Sequence, residues 1–293
     1  MTKERLRIAV QSKGRLATGS VSLLERAGFE IRNGGRDELL QRVKNLPIDI
    51  LRVRDDDIAS FVAEGVCDFG FVGQNSLAES GLDESDNFAS ITPLGFARCS
   101  LKIAVPEAID YAGASSLSGK RIATSHPRLL RRFLCAKNVD AAVAEMHGSV
   151  EVAPRLQIAS AVCDLVSTGA TLEANGLRAV ETVFDSEAVL IQSASPISEE
   201  LAGIVDLLKR RIDSVVATTG TKYIMLNAPR DAAPEIQKLL PGAEAPTIMP
   251  LSGRDAVAIH AVCQESVFWK TLEDLKAAGA SAILVLPIEK MML

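Results

Sequence analysis

Short apolar runs alternate with stretches of helical spacing along this chain, and that alternation restricts its fold more than any other feature. Residues 6–10, Ile48–Val53 and Phe69 to Val72 read as strands. Between the first two, Val21, Leu24 and Ala27 share one helical face, and Gly28 stands at the stop position. Asp55 or Asp56 can cap a second helix, with Ile58, Phe61 and Val62 turned to the core and Gly65 ending it. Strands alternating with helices predict βαβ units in a mainly parallel sheet, an α/β architecture. The pattern restarts after Pro106, with a strand over Arg121–Thr124, a helix over 127–137 and a strand over 141–146. Residues 158–163 are expected to close a helix, and residues 164–167 to begin a strand or its exit loop. Strands follow at 178–184 and 188–192. The expectation is two lobes joined by crossing segments near 101–105 and 188–192, with a ligand crevice between them.

Residues 198–218 carry the longest helical pattern, with Leu201, Ile204, Val205, Leu208, Ile212 and Val215 in register and Ser198 as a candidate cap. After Gly220 the texture changes to strand, helix, strand, strand, helix, strand, a ferredoxin-like module. The domain expectation is a first lobe of residues 1–105 and 186–220, a second of 106–185, and a C-terminal module of 221–293.

Composition narrows the function. Hydrophobic residues make up 47% of the 293 positions but aromatics only 4%, so burial falls to Leu, Ile, Val and Ala. A net charge of −5 argues against nucleic acid as a partner, though a few local cations can still hold a small anion. The first residues lack the apolar core of a signal peptide, and no run approaches the roughly 18 apolar residues of a membrane span. Five cysteines stand singly and three histidines lack metal-ligand spacing, so a cytoplasmic protein with reduced thiols and no structural metal is expected.

The segment Cys163-Asp164-Leu165-Val166-Ser167-Thr168-Gly169-Ala170-Thr171 carries the most chemistry. Its turn offers hydroxyls, small side chains and close backbone N–H groups, which can wrap a phosphate. Asp164 behind it can accept hydrogen bonds from sugar hydroxyls. Phosphate beside a diol is the recognition problem of a phosphoribosyl group, although an ordinary strand-to-helix turn would use the same residues. Glu151, in a loop closed by Pro154, can hold a ribose hydroxyl or steady Mg²⁺-bound pyrophosphate; alone it would read as a solvated loop residue. Lys13-Gly14-Arg15, at a strand's carboxyl end, suits a polyphosphate or a plain helix entry. Arg52 and Arg54 share a strand face, with Arg54 expected to face the cleft and the acids at 55–57 to do capping work. Asp68 to Gly73 adds glycines where a flat base could approach the backbone.

Together these segments resemble the long form of ATP phosphoribosyltransferase. The resemblance runs through residues 6–16, 46–58, 148–155, 164–177, 222–226 and 280–292. It is most specific in Asp164-Leu165-Val166-Ser167-Thr168-Gly169-Ala170-Thr171-Leu172-Glu173-Ala174-Asn175-Gly176-Leu177. It implies two lobes like type II periplasmic binding proteins and a ferredoxin-like (ACT-like) regulatory domain. It also implies a hexamer with active dimers, Mg²⁺ dependence and feedback inhibition by histidine. The implied reaction joins N1 of ATP to C1 of phosphoribosyl pyrophosphate and releases pyrophosphate, the entry step of histidine biosynthesis. Ser167, Thr168, Gly169, Ala170 and Thr171 would then take the 5-phosphate, and Asp164 and Glu151 the ribose hydroxyls. Lys13, Gly14, Arg15, Arg54, Asp68 and Gly73 would serve ATP and pyrophosphate, with Arg54, Arg15, Glu151 and Asp164 acting in catalysis. No residue is assigned to the metal directly, since pyrophosphate carries Mg²⁺. Asn227, Ala245, Thr247, Ser281 and Ala282 would line the histidine pocket. Several relatives place the loop lysine one residue before Lys13, an arginine where Ser100 stands, an aromatic at His126 and an aspartate at Asn227. The rival expectation is a cytoplasmic two-lobed ligand-binding or sensing module without catalysis.

Overall fold

The computed structural model describes residues 4–32, 39–240, 246–264 and 268–292. The chain divides into two compact units, Met1–Asp206 and Leu207–Leu293. The first unit opens with β1 (Leu6–Gln11), α1 (Arg15–Arg26), β2 (Leu40–Arg42), β3 (Ile48–Val53), α2 (Asp55–Ala63) and β4 (Phe69–Gly73). It continues through α3 (Gln74–Ser80), α4 (Glu84–Asn87) and β5 (Phe88–Pro93). A second set follows: β6 (Cys99–Pro106), β7 (Arg121–Thr124), α5 (Pro127–Ala136), β8 (Ala142–Glu145), β9 (Ala161–Val166), α6 (Ala170–Ala174) and β10 (Leu177–Ser186). The chain then returns as β11 (Ala188–Ser193) and enters α7 (Glu199–Val216).

Two sheets result, ordered β2-β3-β1-β4-β11-β5 and β10-β6-β9-β7-β8. Each is parallel only at β3-β1-β4 and β9-β7-β8, and antiparallel elsewhere. The expected mainly parallel sheet is therefore corrected to mixed sheets. Apart from the β2–β3 edge, every antiparallel pairing involves a strand at a passage from one sheet to the other: β5 and β6 flank residues 94–98, and β10 and β11 flank Glu187. The segments 101–105 and 188–192, expected to be the crossings, are instead interior to β6 and β11, where Leu101, Ile103, Val189 and Ile191 are fully buried. Residues 158–163 do not close a helix either; from Ala161 onward they are β9.

The first sheet is held by Ile8, Ile48, Ile50, Phe69 and Phe71, all without solvent exposure, each worth about 1.5–3 kcal/mol on burial. Gly70 lies under α2, where a Cβ would press on Ile58 at 2.8 Å and Val62 at 2.9 Å. Asp49 is buried but paired, accepting from Arg5 Nε at 2.8 Å. The crossing residue Phe96 packs on α1 at Gly19, leaving no room there for a side chain.

The second unit begins inside α7, whose Leu208, Ile212 and Val215 are buried. It adds β12 (Thr221–Pro229), α8 (Ala233–Leu239), β13 (Thr247–Pro250), β14 (Ala256–Gln264), α9 (Phe268–Ala277) and β15 (Ser281–Pro287). The antiparallel sheet runs β13-β14-β12-β15, the order of the ferredoxin-like module. Ile224, Leu226, Ile236, Val257, Ile259 and Leu275 form its core. Ser198 does not cap α7 through its side chain: its Oγ is buried without a hydrogen bond, and only its carbonyl accepts, from Leu201 N–H.

Candidate active site

β9 delivers the loop that carries most of the expected phosphate ligands. Ala161, Val162 and Cys163 are buried and anchor the strand, while Asp164 is only partly covered. Gly169 follows at φ 86°, in the left-handed region that strains any side chain, and stands at the N-cap of α6. Ser167, Thr168 and Gly169 form one wall of a cavity of about 940 Å³. Other walls come from Ser100 and Lys102 on β6, Arg178 and Ser186 on β10, and the crossing residues Arg98 and Glu187. Ala170 and Thr171 are exposed on α6 and do not line this cavity, a narrowing of the expected loop.

Three cations therefore stand by the turn. Arg98 approaches Glu187 at 3.6 Å, beyond hydrogen-bond reach, and Arg178 donates to the Ile109 carbonyl at 2.8 Å. The Lys102 ammonium makes no hydrogen bond or ion pair among the described residues. Lys102 is the register partner of Asp164 across β6 and β9, so both project from one face of the sheet. Burial raises the pKa of Asp164, and the charge of Glu151 adds to it, against the Leu165 N–H at 2.8 Å and His126. Glu151 rides on a 3₁₀ turn, Val150–Val152, entered through Ser149 at φ 50° and pinned by buried Val150. The two carboxylates thus repel, a tension that donors from a ligand would relieve.

From the first lobe, Gly14 caps α1 at φ 96°, and no acid occupies that helix's first turn. Lys13 and Arg15 beside it are exposed. Arg15 reaches the second lobe electrostatically. Burial pushes the Cys99 thiol up, with Ser186 and Arg15 pulling it down and Asp55 pushing it further up. Arg54 is the exposed N-cap residue of α2 at the end of β3, whereas Arg52 is engaged, donating to Gln41 at 2.9 Å. Neither Asp55 nor Asp56 is the cap; with Asp57 they fill the first turn, where negative charge is favoured. Asp55 accepts from Ser76, its other oxygen is buried without a partner, and burial raises its pKa.

One expected nucleotide contact lies away from the carboxyl ends of the strands. Asp68 lies at the amino end of β4, accepts from the Arg7 N–H at 2.7 Å and is 6% exposed, so it ties strand to strand. Gly73 is at the carboxyl end, but a Cβ there would strike the Asn75 side chain, which accounts for the glycine without any base. Arg98, Arg178 and Glu187 also line the cavity, without any local signal in the sequence that would mark them. Buried His126 lies 2.9 Å from Asn75 through its Nε2, a partner 51 positions away that no local pattern could reveal.

In the second unit, Asn227 pairs with Ser281 across β12 and β15, and Ser281 Oγ lies 3.4 Å from the Asn227 carbonyl. A register shift there coincides with Ala282 at φ 49°, an uncommon conformation for a side-chain-bearing residue. Thr247 pairs with His260, two residues further along β14 than the Ala258 that faces Asn227. Ala245 lies outside the described residues.

Among the described residues no group of three or more His, Cys, Asp or Glu could hold a metal, and no helix is long and apolar enough to cross a membrane. A family model described as ATP phosphoribosyltransferase matches residues 54–214, and one described as HisG, C-terminal domain, matches 219–290. An ATP phosphoribosyltransferase of Maricaulis maris (strain MCS10) is 54% identical over 291 residues, 98% of this chain and 99% of that protein. The solved ATP phosphoribosyl transferase (HisG:HisZ) complex of Thermotoga maritima contains a chain with a TM-score of 0.60 and 23% identity. That match covers 72% of this chain and 98% of the other, and bears on fold alone.

Proposed function

The chain belongs to the ATP phosphoribosyltransferase family, and on that premise we propose that the cavity beside β9 takes the phosphoribosyl end of phosphoribosyl pyrophosphate. The observation that carries this reading is the wall of Ser167, Thr168 and Gly169 in one cavity with Lys102, which has no partner among the described residues, and Asp164 on the same sheet face. Hydroxyls and a cation suit the 5-phosphate, and Asp164 with Glu151 suits the ribose hydroxyls. Hydroxyl donors would offset the burial, and with it the repulsion by Glu151, that raise Asp164.

The reaction displaces pyrophosphate from ribose C1 by adenine N1 of ATP. One bond forms at C1 as the other breaks, the sugar gains positive charge, and pyrophosphate leaves with the electron pair. Positioning and electrostatic stabilisation suffice for such a step, and adenine N1 already has a free lone pair. Lys13 and Arg15 at the start of α1, and Arg54 at the start of α2, are the cations suited to the polyphosphates. Arg54 is assigned to the charge growing on the leaving group. Mg²⁺ would enter as the pyrophosphate complex, so no residue of the chain is assigned to it directly. The second unit is the seat of histidine inhibition and of assembly into a hexamer with active dimers. Exposed Met249, Leu284 and Leu286 on its sheet support the assembly role. Titrating phosphoribosyl pyrophosphate into the wild type and a Ser167→Ala/Thr168→Ala variant tests the placement. Affinity lost in the variant supports it, and unchanged affinity removes the substrate from this cavity.

A further inference from the structure

A buried polar chain joins the two lobes of the first unit beside the cavity. Ser76 donates to Asp55 Oδ2, and Asn75 Nδ2 donates to Ser76 Oγ at 3.2 Å. The same Nδ2 lies 2.9 Å from His126 Nε2, and His126 Nδ1 lies 3.0 Å from Ser125 Oγ. On its other side Asn75 Oδ1 accepts from Ser186 Oγ at 2.9 Å, while the Asn75 N–H donates to that hydroxyl at 3.0 Å. Asn75, His126 and Ser186 are 6%, 8% and 5% exposed. α3 follows a strand of the first sheet, yet His126 opens α5 and Ser186 ends β10, both of the second. A further tether lies at the far end of α3. There the Glu79 carboxylate accepts from the Arg128 N–H at 2.6 Å and the Leu129 N–H at 2.9 Å, capping a helix whose own N-cap side chain does not.

The donors can be ordered in only one way. Ionised Asp55 accepts only, so the Ser76 hydroxyl gives its proton there and turns a lone pair to Asn75. The amide must then present its NH₂ group on that side and its oxygen to Ser186. His126 Nε2 consequently accepts, and Nδ1 carries the proton, given to Ser125. A charged imidazole would set N–H against N–H and break the chain. Glu79 on α3, Asp164 on β9, and Asp55 and Asp56 on α2 face this ring and favour its charge. Burial outweighs them and holds its pKa below the ordinary 6.5.

We propose that Asn75 and His126 are positioning residues for the transferase: they form an inter-lobe latch that fixes α3 and the cavity residue Ser186, and the latch holds only while His126 is neutral with its proton on Nδ1. The kinetic consequence rests on substrate binding at the cavity; the tautomer does not, so the two can fail separately. The test uses ¹⁵N-labelled full-length protein, whose three histidines are separable by long-range ¹H–¹⁵N spectra against His147→Gln and His260→Gln chains. At pH 7 the wild type should show the neutral Nδ1–H form at His126, a result that needs no variant of the latch. Asn75→Asp keeps the shape but turns an acceptor to Nε2, and should move the His126 titration up by about 1–3 pH units. Wild-type kcat/KM should fall about tenfold as pH drops through the His126 titration. The Asn75→Asp enzyme should instead lose rate as pH rises through its shifted one. A wild-type ring charged at pH 7 or protonated on Nε2, or a titration unmoved in Asn75→Asp, overturns the latch. A moved titration with the same pH–rate profile as wild type overturns the positioning role.

Discussion

Lys102 and Asp164 stand opposite one another on adjacent antiparallel strands, and no ion pair joins them. A cation and a carboxylate on one face that do not neutralise each other are both available to a ligand. Lys102→Met should therefore raise the KM for phosphoribosyl pyrophosphate roughly 10- to 150-fold, the worth of a charged hydrogen bond, with a smaller change in kcat. It should also flatten the salt dependence of KM. Steady-state kinetics at two ionic strengths checks this; a wild-type KM in the variant would show that the ammonium does not meet the substrate.

Asp164 trades stability for binding. Its folded pKa is raised above the ordinary 3.8, so folded protein holds the proton more tightly than unfolded chain. The stabilising difference is present below pH 3.8 and is lost as pH rises through the folded value. At neutral pH the ionised group is a burden that Asp164→Asn removes. The variant should melt at a higher temperature at pH 7 than wild type while its kcat/KM falls roughly 10- to 150-fold. Calorimetry beside kinetics decides; a lower melting temperature with normal rates would contradict both halves.

Arg54 is exposed at the head of α2, while its strand neighbour Arg52 is committed to Gln41. If its guanidinium acts on the charge that grows on pyrophosphate, Arg54→Ala should lower kcat by more than it raises KM. Arg54→Lys should recover only part of the loss, because a point charge lacks the planar fork. A raised KM at unchanged kcat would return Arg54 to ground-state binding.

In the second unit, Asn227 sits beside Ser281 and the strained Ala282. Asn227→Asp places a carboxylate where an amino acid's ammonium group would bind, and should lower the histidine concentration for half inhibition roughly tenfold. Activity against histidine concentration for both proteins measures it. Unchanged sensitivity would move the effector away from this strand end.

Much of the fold was legible because period and punctuation are local. The alternation through β1, α1, β3 and α2, and the order of the C-terminal module, follow from runs of a few residues each. Strand direction was not, because it depends on where five residues at 94–98 lead, and nothing in Leu94 to Arg98 encodes a destination. Ile158 to Cys163 misled because an apolar stretch of that length suits a buried helix end or a buried strand equally. At the site, the Ser167–Gly169 wall was visible from its own turn chemistry. Asp68 precedes its strand and so stands at the amino end, and its bond to the Arg7 N–H, 61 positions away, is a contact that no local pattern shows. His126 was passed over because its meaning lies in Asn75 and Asp55, brought to it by the meeting of two lobes.

The central claim is a transfer of the phosphoribosyl group to adenine N1, and one measurement meets it directly. The full-length protein is mixed with ATP, phosphoribosyl pyrophosphate and Mg²⁺, and pyrophosphate and phosphoribosyl-ATP are quantified together over time. The account predicts equal amounts of both products, formed only when both substrates are present and suppressed by Lys102→Met at low phosphoribosyl pyrophosphate. Pyrophosphate released without ATP, or no product from either substrate, would contradict it.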